Sequence, residues 1–143
     1  MDQNKKDRNK KKPENTLIDP DILTGLTPFI KNNKIECLLA HKVARQLDTA
    51  PIEIGRQLDL QGCKIVQCQL GLFGYGKHKK NFNPDIIISF ALEKRILAEQ
   101  TDKTISCFKC WQLAKEQSIS RLDIGSACDK KGLRIKPCQL GVF

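Results

Sequence analysis

Seven cysteines are the side chains of this 143-residue chain best suited to chemistry. Cysteine thiolates bind soft metal ions and take part in redox reactions, whereas neutral thiols pack as small apolar side chains. No stretch that would act as a signal peptide or a membrane span is visible, so we expect a cytoplasmic protein with reduced cysteines. The cysteines are therefore candidates either for a metal or redox site or for buried packing.

One cysteine pair has the spacing of a ligand or redox motif. Cys107 and Cys110 form Cys-x-x-Cys at the predicted start of a helix, where the helix dipole can lower the pKa of a thiol. Cys128 and Cys138 could approach this pair and complete a set of four metal ligands. Such an arrangement would be typical of a thiol-based metal or redox sensor.

Other catalytic chemistry has little support in the sequence. Only two histidines occur, His41 and His78. No Ser-His-Asp set, paired-carboxylate motif or phosphate-binding glycine loop is visible. We therefore predict a protein that is not an enzyme, with no catalytic residues and no cofactor.

A loop at residues 74–82 combines basic and aromatic side chains. Its sequence, Gly-Tyr-Gly-Lys-His-Lys-Lys-Asn-Phe, has flexible glycines, two aromatic rings and four side chains that are basic or can become so. Such a loop could follow a phosphate backbone, or it could be a solvated linker between domains. The candidate phosphate-binding residues here are Lys77, His78, Lys79 and Lys80.

An internal repeat organises the chain. Shifted by 70 positions, residues 35–73 align without a gap to residues 105–143, with 13 identities in 39 aligned positions. The alignment ends on the sequence Cys-Gln-Leu-Gly, at residues 68–71 and again at residues 138–141. We therefore predict two copies of one unit, at residues 17–73 and 84–143, joined by a basic linker at residues 74–83. Residues 1–16 are lysine-rich and almost without apolar side chains, which predicts a disordered basic tail.

The repeat also bears on the role of the cysteines. Three of them have an apolar residue at the equivalent position of the other unit: Cys63 with Leu133, Cys110 with Ala40, and Cys128 with Leu58. Packing in a core allows such exchanges, whereas metal ligation does not. Buried packing is therefore the favoured role, and no metal ligand is assigned.

Hydrophobic periodicity and helix boundary residues predict the same elements in both units. In the first unit these are helices at 20–30, 37–47 and 51–61, with strands at 34–36 and 63–68. In the second they are helices at 84–100, 107–117 and 121–131, with strands at 104–106 and 133–138. Ile52, Gly55 and Leu58 are predicted to form the inner face of the first unit's third helix. A glycine inside a helix costs roughly 1 kcal/mol relative to alanine, so Gly55 and Gly125 indicate that another backbone, such as a crossing helix, comes close.

This order of elements resembles that of tandem winged helix-turn-helix proteins, over residues 20–73 and 84–143. The chain is also similar to a family of prokaryotic proteins with a duplicated Cys-Gln-Leu-Gly signature, which implies no particular activity. In winged-helix proteins that bind DNA, the third helix enters the major groove and the wing contacts the backbone. The resemblance thus implies an α+β, mostly helical fold and a set of outward DNA-binding residues: Arg56, Gln57, Arg121, Ser126, Lys130 and Lys131.

The charge of the chain agrees with an acidic partner. Lysine and arginine number 25 against 16 aspartates and glutamates, which gives a formal net charge of +9. A basic surface attracts the phosphates of nucleic acids. We therefore predict a DNA-binding, transcription-regulatory protein that binds double-stranded DNA and no membrane. A protein-interaction adaptor with the same fold and the thiol-based sensor remain alternatives.

Overall fold

A computed structural model of the protein describes residues 17–143, apart from the side chain of His78. The predicted tail at residues 1–16 lies outside the described residues. The structure belongs to the α+β class and is mostly helical. The first repeat contains α1 (Pro20–Leu26), β1 (Lys34–Glu36), α2 (Cys37–Gln46), α3 (Pro51–Leu60) and β2 (Lys64–Val66). The second contains α4 (Phe90–Glu99), β3 (Thr104–Ile105), α5 (Cys107–Gln117), α6 (Arg121–Lys130) and β4 (Arg134–Ile135).

The first helix of each repeat is shorter than the periodicity predicted. Helix α1 ends at Leu26, and a 3₁₀ turn at Thr27–Phe29 follows it. Helix α4 begins only at Phe90, because the Ser89 hydroxyl caps it by accepting the backbone N–H of Leu92 at 3.1 Å. The three consecutive isoleucines before this cap are not helical, in keeping with the weaker helix propensity of β-branched residues.

The strands of each repeat pair in parallel. Ile35 lies opposite Ile65 in the pair β1–β2, and Ile105 lies opposite Ile135 in the pair β3–β4, so the two repeats share one register. Parallel strands need a long crossover connection, which the two helices between them supply. A wing is a hairpin and therefore antiparallel. In residues 17–143 the strand after each third helix forms no such hairpin but closes a parallel pair.

Each Cys-Gln-Leu-Gly turn packs into the core of the other repeat. Leu70 is fully buried among residues of the second repeat, and Leu140 is buried among residues of the first. A Cβ atom on Gly125 would lie 1.7 Å from the carbonyl oxygen of Leu70. A Cβ atom on Gly55 would lie at the same 1.7 Å from the carbonyl oxygen of Leu140. The predicted close approach of a backbone is confirmed, but that backbone is the turn of the other repeat and not a crossing helix.

Equivalent residues of the two repeats meet at their junction. The rings of His41 and Trp111 lie with centroids 4.3 Å apart, and those of Phe73 and Phe143 lie edge to face at 6.0 Å. A residue contacts its own counterpart where two equivalent units are related by a two-fold axis. The repeats are therefore arranged about an approximate two-fold axis that passes near these two aromatic pairs.

The segment 74–83 is bound to both repeats. The Tyr75 hydroxyl donates to the carbonyl oxygen of Cys68 at 2.6 Å. The backbone N–H of Asn81 donates to the carbonyl oxygen of Gly71 at 2.7 Å. The amide of Asn83 donates to the Ser126 hydroxyl at 2.8 Å. The connection between the repeats is thus held by hydrogen bonds on both sides. Among residues 17–143 no helix is long and apolar enough to cross a membrane.

Candidate functional site

Helix α3 does not present the predicted base-reading residues. Gln57 was expected to face outward, but it is 1 % exposed, which corrects that prediction. Its side chain accepts the backbone N–H of Asp19 at 2.9 Å and donates to the carbonyl oxygen of Leu17 at 3.2 Å. The segment before α1 therefore covers this face of the helix. Ile52, expected on the inner face, is 57 % exposed instead.

The remaining polar residue predicted on α3 is engaged within the helix. Arg56 donates through Nε to a carboxylate oxygen of Glu53 at 2.9 Å, and both side chains are about one-third exposed. The pKa of Glu53 is lowered, first by its hydrogen bond with Arg56. This pair neutralises the positive charge that a base or phosphate contact would need.

Helix α6 is likewise occupied by contacts within the protein. Ser126 is buried, and its hydroxyl accepts the backbone N–H of Asn83, so its predicted outward position is wrong. The Arg121 guanidinium lies 3.6 Å from the ring centroid of Trp111 and donates to the side-chain oxygen of Gln69 at 3.3 Å. Each repeat's third helix thus lies against the other repeat's turn and is not exposed as a recognition helix.

The two lysines at the end of α6 also have partners, although they stay nearer to the surface. Lys131 forms an ion pair with Glu93. Lys130 is exposed and donates to the carbonyl oxygen of Ile86 at 3.0 Å. Their charges remain available for weak attraction of an anion, but their positions are fixed by helix α4 and the segment before it.

A groove of about 480 Å³ beside α6 and β4 combines apolar and basic residues. Its basic side chains are Lys80, Arg134 and Lys136, all exposed, and among residues 17–143 Asp129 is the acidic side chain that lines it. The ammonium of Lys80 lies 5.8 Å from the ring centroid of Phe82. The other residues that line this groove are Leu72, Phe73, Gly125, Leu133, Ile135, Val142 and Phe143.

The groove joins predicted and unpredicted residues. Lys80 belongs to the basic loop, in which Lys77 and Lys79 are also exposed; the side chain of His78 lies outside the described part of the structure. Arg134 and Lys136 were missed by sequence reasoning, although they flank the buried Ile135 in the alternation of a half-exposed strand. The groove therefore extends the positive charge of the loop onto the second repeat.

Four cysteines form a second group, which we call the cysteine centre: Cys37, Cys68, Cys107 and Cys138. Cys37 and Cys107 begin helices α2 and α5, while Cys68 and Cys138 begin the two turns. The Gln139 side-chain amide donates to the sulfur of Cys107 at 3.3 Å. Among residues 17–143, no three histidine, cysteine or acidic side chains are grouped closely enough to hold a single metal ion.

The pKa values of several buried thiols are raised, whereas the sequence predicted a lowered pKa for Cys107 and Cys110 at the start of a helix. Burial raises the pKa of Cys37 to about 12 and that of Cys107 to about 11. The pKa of Cys110 is also raised, by its hydrogen bond with the Cys128 thiol and then by burial. The pKa values of both thiols of the Cys-x-x-Cys pair are therefore raised, whereas the sequence predicted that the helix dipole would lower them.

The imidazole of His41 is the most perturbed basic group beside the two-fold axis. It is 4 % exposed, and its Nε2 atom has no hydrogen-bond partner among the described residues. Burial, together with the positive charges of Arg121 and Arg45, lowers its pKa to about 4. His41 is therefore neutral in the folded protein throughout the physiological pH range.

This depressed pKa predicts a loss of stability in acid. The unfolded chain binds a proton at His41 below about pH 6.5, whereas the folded protein does so only near pH 4. The free energy of unfolding should therefore fall by about 3 kcal/mol on account of His41 as the pH drops from 6.5 to 4. Urea unfolding of the parent and of His41→Phe across this range would measure it. Equal pH dependence in both proteins would show that His41 is not buried in its neutral form.

No protein-family model, curated protein or solved structure matches the chain.

Proposed function

We propose that this protein binds nucleic acid, and double-stranded DNA in particular, through the groove and the adjoining basic loop. The observation that carries the proposal is the convergence of Lys80, Arg134 and Lys136 around one groove, where the opposing acidic side chain among the described residues is Asp129. Lysine and arginine contacts with phosphates supply most of the affinity of non-specific DNA binding. The net charge of +9 adds long-range attraction in the same direction.

The order of the helices in each repeat supports DNA as the nucleic acid that is bound. In this proposal α2–α3 and α5–α6 are helix-turn-helix pairs of two units that have exchanged their final turns. Each unit has a parallel strand pair where a winged helix would have its wing. Contacts to base edges by Gln57 and Ser126 are excluded by burial. Sequence preference, and with it a role in transcription regulation, would therefore come from DNA shape and not from direct readout by the third helices.

Neutralising the groove should weaken DNA binding strongly. The triple variant Lys80→Gln, Arg134→Gln, Lys136→Gln removes three exposed charges without touching the core. The logarithmic salt slope of binding should decrease by about 2.7, since each phosphate contact contributes about 0.9. Fluorescence anisotropy of a labelled duplex at several salt concentrations would measure both the slope and the affinity.

A matched control removes the same net charge elsewhere. Lys31, Lys42 and Lys94 are exposed and lie outside the groove, so their triple change to glutamine should leave most of the salt slope intact. Arg56→Ala should also bind like the parent, because Arg56 is paired with Glu53. If the two triple variants lost equal affinity, the groove would not be the contact surface.

An exposed apolar patch favours a second candidate, a protein-interaction adaptor. Ile87 is 90 % exposed and Phe90 is 79 % exposed, and they lie three residues apart in the sequence, before and at the start of α4. Exposed apolar side chains that lie together are a feature of interaction surfaces. Failure of the protein to bind DNA at low salt would favour the adaptor function over DNA binding.

A further inference from the structure

The repeat separates the seven cysteines into two classes. Four of them recur at equivalent positions, and these four are the cysteine centre. The other three are replaced by apolar residues in the opposite repeat: Cys63 by Leu133, Cys110 by Ala40 and Cys128 by Leu58. A core position tolerates exchange between a thiol and an aliphatic side chain. The four recurring cysteines therefore call for an explanation other than packing.

The fold brings the four recurring cysteines together from four different elements. Cys68 of the first repeat lies in the same core as Cys107 of the second, and Cys138 packs against the core that contains Cys37. Each pair therefore crosses between the repeats. The backbone N–H of Cys107 donates to the carbonyl oxygen of Pro137 at 3.2 Å, which places Cys107 beside Cys138. The cysteine centre thus lies where the two repeats join.

A hydrogen-bond donor points at one of these sulfur atoms. The Gln139 side-chain amide donates to the sulfur of Cys107 at 3.3 Å. Gln139 follows Cys138, so this hydrogen bond links the second turn to the start of α5. N–H donors beside a sulfur stabilise a thiolate and tune a metal-bound one.

We propose that the cysteine centre binds an iron–sulfur cluster through four thiolates. A single ion needs its ligands closely grouped, which residues 17–143 do not offer, whereas a cluster is larger and its ligands stand farther apart. Soft thiolate sets select iron–sulfur clusters, and four cysteines are their usual ligands. On binding, each thiol would release its proton to solvent and form a sulfur–iron bond. This site goes beyond nucleic-acid binding and does not depend on it.

The test uses the full chain purified without oxygen and incubated with sulfide and equal amounts of ferrous and ferric iron. We expect stoichiometric iron and acid-labile sulfide, with a broad absorption band in the visible range. Cys68→Ser and Cys138→Ser should each lose at least half of the bound iron and most of the visible absorption. Circular dichroism of each apo variant would check that the helices are retained.

The chain provides its own controls. Cys110→Ala and Cys128→Leu adopt the residues of the other repeat, so both variants should bind iron and sulfide like the parent. A parent protein that stays colourless and iron-free after incubation would overturn the proposal. So would binding of zinc alone, or loss of the cluster in Cys110→Ala with retention in Cys68→Ser. If the variants unfold, the iron and sulfide content of the parent protein tests the proposal.

Discussion

Replacing Gly125 with alanine should lower the free energy of unfolding by about 3 kcal/mol or more. The added Cβ atom would lie 1.7 Å from the carbonyl oxygen of Leu70. This neighbour is backbone and not the flexible end of a side chain, so the turn of the first repeat would have to leave its place. Urea unfolding monitored by circular dichroism would measure the loss, and Gly55→Ala should behave alike because its Cβ would meet the Leu140 oxygen.

A second glycine variant separates this clash from ordinary backbone strain. Gly132 has a φ of +73°, and nothing lies within 4 Å of a Cβ built on it. Gly132→Ala should therefore cost only about 1–2 kcal/mol, the price of the left-handed conformation. If Gly125→Ala were no more destabilising than Gly132→Ala, the turn of the first repeat would not pack against α6 as described.

Replacing Leu70 with alanine should destabilise the repeat to which Leu70 does not belong. Leu70 is 0 % exposed and lies in the core of the second repeat, together with Ile96, Leu113 and Ile124. Truncating a fully buried leucine costs about 2–5 kcal/mol through lost burial and the cavity left behind. Native-state hydrogen exchange of the full chain should show this loss in the amides of α5 and α6.

An exposed residue provides the control for this variant. Leu97 is 49 % exposed, so Leu97→Ala should change the free energy of unfolding by less than about 0.5 kcal/mol. A loss of protection confined to α2 and α3 in Leu70→Ala would mean that each turn completes its own repeat. That result would remove the exchange of turns from the account.

Part of the local structure was predictable from the sequence. Helix α5 begins and ends where the periodicity placed it, and Ser120 caps α6 by accepting the backbone N–H of Asp123 at 3.0 Å. The duplication also predicted that the strands of both repeats would occupy equivalent positions, and they do. Caps, helix periods and repeats depend on neighbours in the chain, so the chain itself contains them.

The exchange of turns was not predictable in the same way. Two identical Cys-Gln-Leu-Gly sequences fit either core equally well, so the sequence does not say which turn enters which repeat. The burial of Gln57 and Ser126 follows from the segments that cover both helices, at Leu17 and at Asn83. From the sequence pattern alone, polar residues on a helix are expected to face solvent. Their hydrogen bonds to distant backbone groups are what make burial tolerable here.

The two candidate sites are connected through the same turns. Leu72 and Phe73 follow the first turn, Val142 and Phe143 follow the second, and all four line the groove. The cysteines that begin these turns belong to the cysteine centre. Because each of these two short segments forms part of both sites, the shape of the groove depends on the positions of the turns.

The measurement that tests nucleic-acid binding most directly is anisotropy of labelled duplex DNA titrated with the parent protein at increasing salt. We expect binding at low salt that falls steeply as salt rises, with a logarithmic slope of about 0.9 for each phosphate contacted. A slope that corresponds to at least three phosphates would agree with the three basic residues of the groove. Absence of binding at low salt, where the net charge of +9 has its greatest effect, would contradict the proposed function.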